Sequence, residues 1–170
     1  SHARYAASSS PQAVRAMVAA MNGTVAEVIA RCRALGIDAE ITPTDELLGA
    51  TNPAQWQRLQ AEHHHRSAWG EADRLRLLSA DETAKRISVA GGMGAMEISG
   101  VARIQPAKLA AGLARAAESM GIRIVEGTRV TAIAPGLITT PHGRVTAQTI
   151  LRCTEGFTAA LPGHCRDLLP

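Results

Sequence analysis

The 170-residue sequence has almost no aromatic side chains: Tyr5, Trp56, Trp69 and Phe157 make up its 2 %. Nucleic-acid binding draws on aromatic platforms and a concentrated basic face. Here 18 Lys and Arg stand against 15 Asp and Glu, a net charge of only +3, so no nucleic-acid partner is expected. Lysine is scarce too, at positions 85 and 108 alone; arginine carries the rest of the positive charge, a coding bias that decides nothing about chemistry. Cys32, Cys153 and Cys165 are odd in number and lack CxxC spacing, which argues against a disulfide scaffold or a zinc ribbon and for a reducing, cytoplasmic home. No apolar run approaches the roughly 18 residues of a membrane span, and the start, Ser1-His2-Ala3-Arg4-Tyr5, lacks the layout of an export signal. GxSxG, Walker A and HExxH are all missing, so serine hydrolase, nucleotide hydrolase and zinc protease readings have no support.

What remains is a one-domain length with 46 % hydrophobic and 19 % charged residues, values that indicate a folded globular chain rather than a disordered or fibrous one. Val14, Met17, Val18, Met21, Val25, Val28, Ile29 and Cys32 recur at three- and four-residue steps, predicting one long helix from Pro11 to about Leu35. Ser10 is placed to cap it, Pro11 suits its first turn and Gly36 its stop. Short strands are expected at residues 39–42 and 46–49, a second helix from Asn52-Pro53 to Trp69 or Gly70, a third around residues 80–86, and an extended stretch at 95–98. Gln105-Pro106 opens a further helix with Leu109, Leu113, Ala116, Ala117 and Met120 on one side, ended by Gly121. Beyond it, residues 122–125, 128–133, 137–140, 144–147 and 149–153 all read as strands. The turns Pro135-Gly136 and Pro141-His142-Gly143 join three of them into a β-meander. The fold class is therefore α+β: helices around a small mixed sheet, plus a three-stranded meander.

Several local patterns look chemical and are better read as structural. Gly92-Met93-Gly94 lacks the third glycine and the following helix of a dinucleotide loop, so it is taken as a structural turn. His63, His64 and His65 project about 100° apart on a helix and cannot converge on one ion, which leaves a solvated face and no metal site. His164 and Cys165 are neighbours in sequence and do not make a nucleophile–base pair. Arg103, Arg129 and Arg152 are the right type for a substrate carboxylate, yet solvated or ion-paired roles are preferred for all three.

The pattern with most content is Val101-Ala102-Arg103-Ile104-Gln105-Pro106, Leu109, Gly112-Leu113-Ala114, Gly121, Ile124, Glu126-Gly127-Thr128-Arg129-Val130 and Thr154-Glu155-Gly156-Phe157. It resembles the middle of FAD-dependent oxidoreductases of the D-amino-acid oxidase and glycine oxidase superfamily, and within it bacterial members similar to gamma-glutamylputrescine oxidoreductase. The likeness is specific from residue 101 to 163 and looser before it. It implies a fragment of an α/β FAD-binding fold, with residues 1–100 as a helical and partial substrate-domain region and 101–170 on the FAD-domain side. It also implies that Val130 binds the adenine edge of FAD through its backbone N–H and C=O, and that the turn Thr154, Glu155, Gly156 passes close to the cofactor. The family's GxGxxG unit would precede Tyr5 and its last section would follow Pro170, so an internal fragment is expected, with no catalytic residue assigned and little activity by itself. The implied reaction is oxidation of a C–N bond in a small amine or amino acid, by hydride transfer to FAD. The competing expectation is a non-catalytic module that binds no cofactor and self-associates as a homo-oligomer through its uncovered apolar face.

Overall fold

The computed structural model describes residues 2–161, 163, 165 and 166. The chain divides into two compact units, Ser1–Met120 and Gly121–Pro170.

The first unit opens with a short helix, α1 (His2–Ser8), and the long helix α2 (Pro11–Ala34). Capping falls where the sequence placed it: the Ser10 hydroxyl accepts the Ala13 N–H at 3.1 Å, and Gly36 takes a left-handed φ of 65° just past the end. Only Val14, Val18 and Cys32 of α2 are buried, while Met17, Met21 and Val28 are exposed. Contrary to the expectation from apolar runs, α2 is long and apolar enough, by length and composition, to cross a membrane. Asn22, Gly23 and Thr24 interrupt its run, but its many alanines keep the average over a longer stretch apolar. Val14, Val18 and Cys32 nonetheless pack within the unit.

Strand β1 (Thr42–Ala50) replaces the two short strands expected, because a register shift between Thr44 and Glu46 lets one strand run through as a bulge. Helix α3 (Pro53–Arg66) follows; Asn52 caps it, accepting the Gln55 N–H at 2.9 Å. The chain then unwinds through Ser67–Glu71 and a 3₁₀ turn, Ala72–Arg74. Strand β2 (Leu75–Ser79), which the sequence reading missed, leads into α4 (Ala80–Ala84) through a capping box between Ser79 and Glu82. Strand β3 (Gly94–Arg103) extends past the expected Ile98 and lies centrally in an antiparallel sheet of order β1-β3-β2. β1, carrying Pro43, is an edge strand, where a missing N–H leaves no ladder gap. One sheet face gathers Leu75, Met96 and Ile98 with Leu48, Leu77 and Leu59 of α3. By the area rule the buried three, Leu75, Met96 and Ile98, each stabilise the unit by about 1.5–3 kcal/mol, and the partly buried leucines by less.

Helix α5 (Pro106–Ser119) closes a second core in which Cys32, Ile37 and Ala39 pack against Ile41, Ile104, Leu109 and Ala116. Gly112 makes this approach feasible. A β-carbon there would run into Ile37 Cγ2 and come within 3.1 Å of Cγ1. Alanine would gain about 0.8–1 kcal/mol of helix propensity. It would lose about 1–3 kcal/mol to overpacking against a stiff, buried isoleucine. Gly112→Ala is thus expected to destabilise the first unit by up to about 2 kcal/mol in urea unfolding followed by tryptophan fluorescence; a raised midpoint would refute it.

The second unit holds the meander β4 (Ala132–Ala134), β5 (Leu137–Thr140) and β6 (Gly143–Thr146), antiparallel throughout. Residues 122–125 and 149–153 form no ladder among the described residues, although both were expected as strands. Ile122, Val125 and Leu151 in these segments are exposed. β-branched residues favour extended backbone, but a strand exists only where a partner takes its hydrogen bonds.

Candidate functional site

In the second unit the backbone running into β4, the β5–β6 turn and the 3₁₀ turn Glu155–Ala160 surround one cleft of about 720 Å³. Its walls include Val130, Thr131, Pro141, Thr154, Phe157 and Leu161. The structure therefore brings Val130 and Thr154, 24 positions apart in sequence, to the same cavity, within the size range of small-molecule sites.

Val130 is half-buried and lies just outside the ladder, whose first bond runs from Thr131 N–H to Thr139 C=O at 2.9 Å. Among the described residues neither the N–H nor the C=O of Val130 has a hydrogen-bond partner. A backbone donor and acceptor side by side match the donor–acceptor edge of adenine whatever the side chain. A ligand that covered this pair without pairing with it would leave each group unsatisfied at a cost of about 1–3 kcal/mol.

Thr154 is fixed from two sides. Its hydroxyl lies 2.7 Å from that of the fully buried Thr158, and its carbonyl accepts the Phe157 N–H at 2.9 Å. Glu155 holds a left-handed φ of 40°, uncommon for a residue with a β-carbon, while its own carboxylate accepts the Gly156 N–H at 2.6 Å. Gly156 has open space where a β-carbon would stand, so no close approach within the chain demands glycine there. Glu155 and Gly156 sit on the turn beside the cleft but outside its lining.

Arg129 lines the same cleft with an exposed side chain. Arg103, exposed at the end of β3, and Arg152 of the second unit lie outside it. Gly94 begins β3, against the indole of Trp56, which is a structural setting. His65 is half-buried and meets His2 of α1 rather than solvent, a contact no local pattern announces. His164 lies outside the described residues. No three His, Cys, Asp or Glu side chains gather at one point among the described residues.

A backbone donor and acceptor on the wall of a cleft of this size can take the edge of a heterocyclic ring. The sequence matches the family DAO, FAD dependent oxidoreductase, over residues 2–170. No curated protein matches it. Among solved structures it is similar to glycine oxidase from Geobacillus kaustophilus, with a TM-score of 0.69 and 24 % identity, covering 91 % of this chain and 41 % of that one. L-proline dehydrogenase from P. horikoshii is similar with a TM-score of 0.69 and 12 % identity, over 84 % of this chain and 40 % of its own. A third is L-alpha-glycerophosphate oxidase from Mycoplasma pneumoniae, solved with FAD bound: TM-score 0.59, 18 % identity, 71 % of this chain and 34 % of that one. The chain thus spans about two fifths of the length of the first two, and these likenesses establish the α+β fold of this part. FAD is the cofactor of the family whose pattern runs through residues 2–170, and the chain belongs to that family, the DAO group of FAD-dependent oxidoreductases.

Proposed function

We propose that this chain supplies the adenine end of the FAD site in a flavoprotein that oxidises a C–N bond of a small amine or amino acid. The observation that carries the reading is the unpartnered backbone N–H and C=O of Val130 at the cleft shared with Thr154. Thr154, Glu155 and Gly156 then flank the cofactor as a turn, and residues 1–100 belong to the substrate-domain side of the whole protein, 101–170 to the FAD-domain side. FAD, when bound, supplies the hydride acceptor; the protein's part is to hold it and to position the substrate. The amino-acid substrate class is favoured because two of these three similar structures, glycine oxidase and L-proline dehydrogenase, are named for amino acids, and one for L-alpha-glycerophosphate.

The test is titration of the 170-residue chain with FAD, followed by flavin fluorescence, with AMP and FMN as competitors. AMP is expected to displace FAD and FMN to leave it in place, because only the adenine end is read. Val130→Pro, which removes the N–H, is expected to weaken binding about tenfold, the worth of one hydrogen bond. Val130→Ala should change nothing, since no side chain is used. Displacement by FMN alone, or equal binding by the proline and alanine variants, overturns the reading.

A second reading rests on a different observation. In the second unit Leu151 is 82 % and Phe157 84 % exposed, and Ile122 and Val125 are exposed as well. Apolar surface of that kind favours self-association without any cofactor. A chain that neither quenches nor shifts FAD and sediments as a dimer or larger species would support this module reading over the first.

A further inference from the structure

His2 of α1 and His65 of the last turn of α3 are 63 positions apart in sequence, yet His2 Nδ1 lies 3.1 Å from His65 Nε2. The ring planes differ by 9° and the ring centres are 5.2 Å apart. The nitrogen gap and the two ring radii account for nearly all of that separation, so the rings meet edge to edge in almost one plane. Both in-plane lone-pair directions open into the same gap, and in the neutral pair one nitrogen carries the hydrogen that the other accepts. The indole of Trp69 borders both rings, with centres 5.5 Å from His2 and 6.5 Å from His65.

The charges near the pair are largely occupied elsewhere. Arg66, next to His65, is held by two hydrogen bonds to the Glu71 carboxylate, and Arg15 reaches the Ala68 carbonyl. His64 and His63 lie on other sides of α3, about 100° and 200° around the helix from His65. Neither a carboxylate nor a thiolate joins His2 and His65 among the described residues.

We propose that His2 and His65 form a binding site for a first-row transition-metal ion of the Ni²⁺, Cu²⁺ or Zn²⁺ class, with water completing its coordination. Two nitrogens each about 2.1 Å from one ion and about 95° apart around it lie about 3.1 Å from each other, which is the separation already present. From a fully in-line pair each ring swings within its plane by about 40° to turn its lone pair onto the ion. Imidazole without oxygen ligands selects this class and disfavours Ca²⁺ and Mg²⁺, which want carboxylates and carbonyls. The ion takes the place of the shared hydrogen; the ring that donated it carries that proton on its remote nitrogen instead, by exchange through water, so both rings bind as neutral imidazoles and no net proton is released. The bound ion clips α1 to the end of α3.

Trp69 makes the test direct, because Cu²⁺ at this pair lies close enough to quench it. The 170-residue chain is titrated with CuCl₂ at pH 7.5 and followed by tryptophan emission, with Trp69→Phe marking the responding residue. The expected result is a saturable loss of the Trp69 emission at one ion per chain, blocked by prior addition of Zn²⁺. His2→Ala and His65→Ala should each weaken it at least tenfold, and His64→Ala should leave it unchanged. His2 sits in a seven-residue terminal helix, so His2→Ala tests the site even if the His65 variant folds poorly. Titrations of His2→Ala that match the parent chain, or an equal loss in His64→Ala, would overturn the proposal.

Discussion

Replacing Glu71 by alanine is expected to cost the first unit about 3–5 kcal/mol, the penalty of leaving buried cations without their counter-charge. Glu71 is 6 % exposed, at the kinked exit of α3. Arg66 grips both its oxygens, Nε to Oε2 and Nη2 to Oε1, each at 2.8 Å, a fork geometry a lysine could not reproduce. Arg74 stands 3.8 Å from Oε1 and donates to the Ser99 carbonyl of β3 from Nε at 3.0 Å and Nη2 at 2.8 Å. One carboxylate therefore ties the end of α3 to the central strand through two arginines. Its removal strands two guanidinium groups that are themselves about four-fifths covered. The exposed pair Glu27–Arg31 on α2 is the control: Glu27→Ala should change stability by no more than about 0.5 kcal/mol.

The same network sets a pH dependence. The Arg66 hydrogen bonds hold the Glu71 carboxyl below the usual range against the opposing effect of burial, and Arg66 itself is raised. A group whose folded pKa is depressed adds stability above its unfolded value, about 4.3 for Glu, and loses it as pH falls through the lower folded value. Urea midpoints measured from pH 7 to 3 should therefore drop more steeply below about pH 4.3 in the parent chain than in Glu71→Ala. Parallel acid limbs would show that Glu71 is not the group responsible.

Helices with marked ends were legible in the sequence. Ser10-Pro11 and Gln105-Pro106 start α2 and α5 where they were expected, because a side-chain acceptor and a missing N–H act within a few residues. Strands fared differently, for a strand is a relation between segments. β2 is five residues long and owes its existence to β3 some twenty positions on, so its short alternation was passed over. Residues 122–125 and 149–153 have strand-forming composition and no ladder, the converse case. At the candidate site the resemblance, not the residue types, pointed to Val130. Its backbone donor and acceptor are unpaired among the described residues, like those of the segment before it, and what sets it apart is its place on the cleft wall, which any side chain could accompany and which leaves no trace in the sequence. The His2–His65 contact is invisible for a related reason: the spacing of His63, His64 and His65 describes one helix, while the partner ring comes from another.

Gly94→Ala is the second substitution of large expected effect, and it separates the two readings of Gly92-Met93-Gly94. Gly94 has a φ of 152°, and a β-carbon on it would lie 2.7 Å from the Leu78 carbonyl oxygen and 2.8 and 2.9 Å from Trp56 Cζ3 and Cη2. The first obstacle is backbone of β2, which cannot yield without breaking the pairing of Ser79 with Gly94. The second is an indole held between α3 and the sheet. Backbone strain of about 1–3 kcal/mol adds to overpacking of about 1–3 kcal/mol. A loss near 4 kcal/mol is therefore expected, a large part of the roughly 5–15 kcal/mol that keeps a domain folded. Trp56→Ala made together with Gly94→Ala should recover only the indole's share, so the double variant should remain less stable than Trp56→Ala alone by about 2 kcal/mol. A phosphate-binding loop would behave otherwise. Gly94→Ala would then leave the urea midpoint intact and weaken FAD binding, and that outcome would return the glycines to the cofactor. With the strand, the carbonyl and the indole all pressed onto this one Cα, the loss is expected in stability, and FAD titration of the folded fraction should match the parent chain.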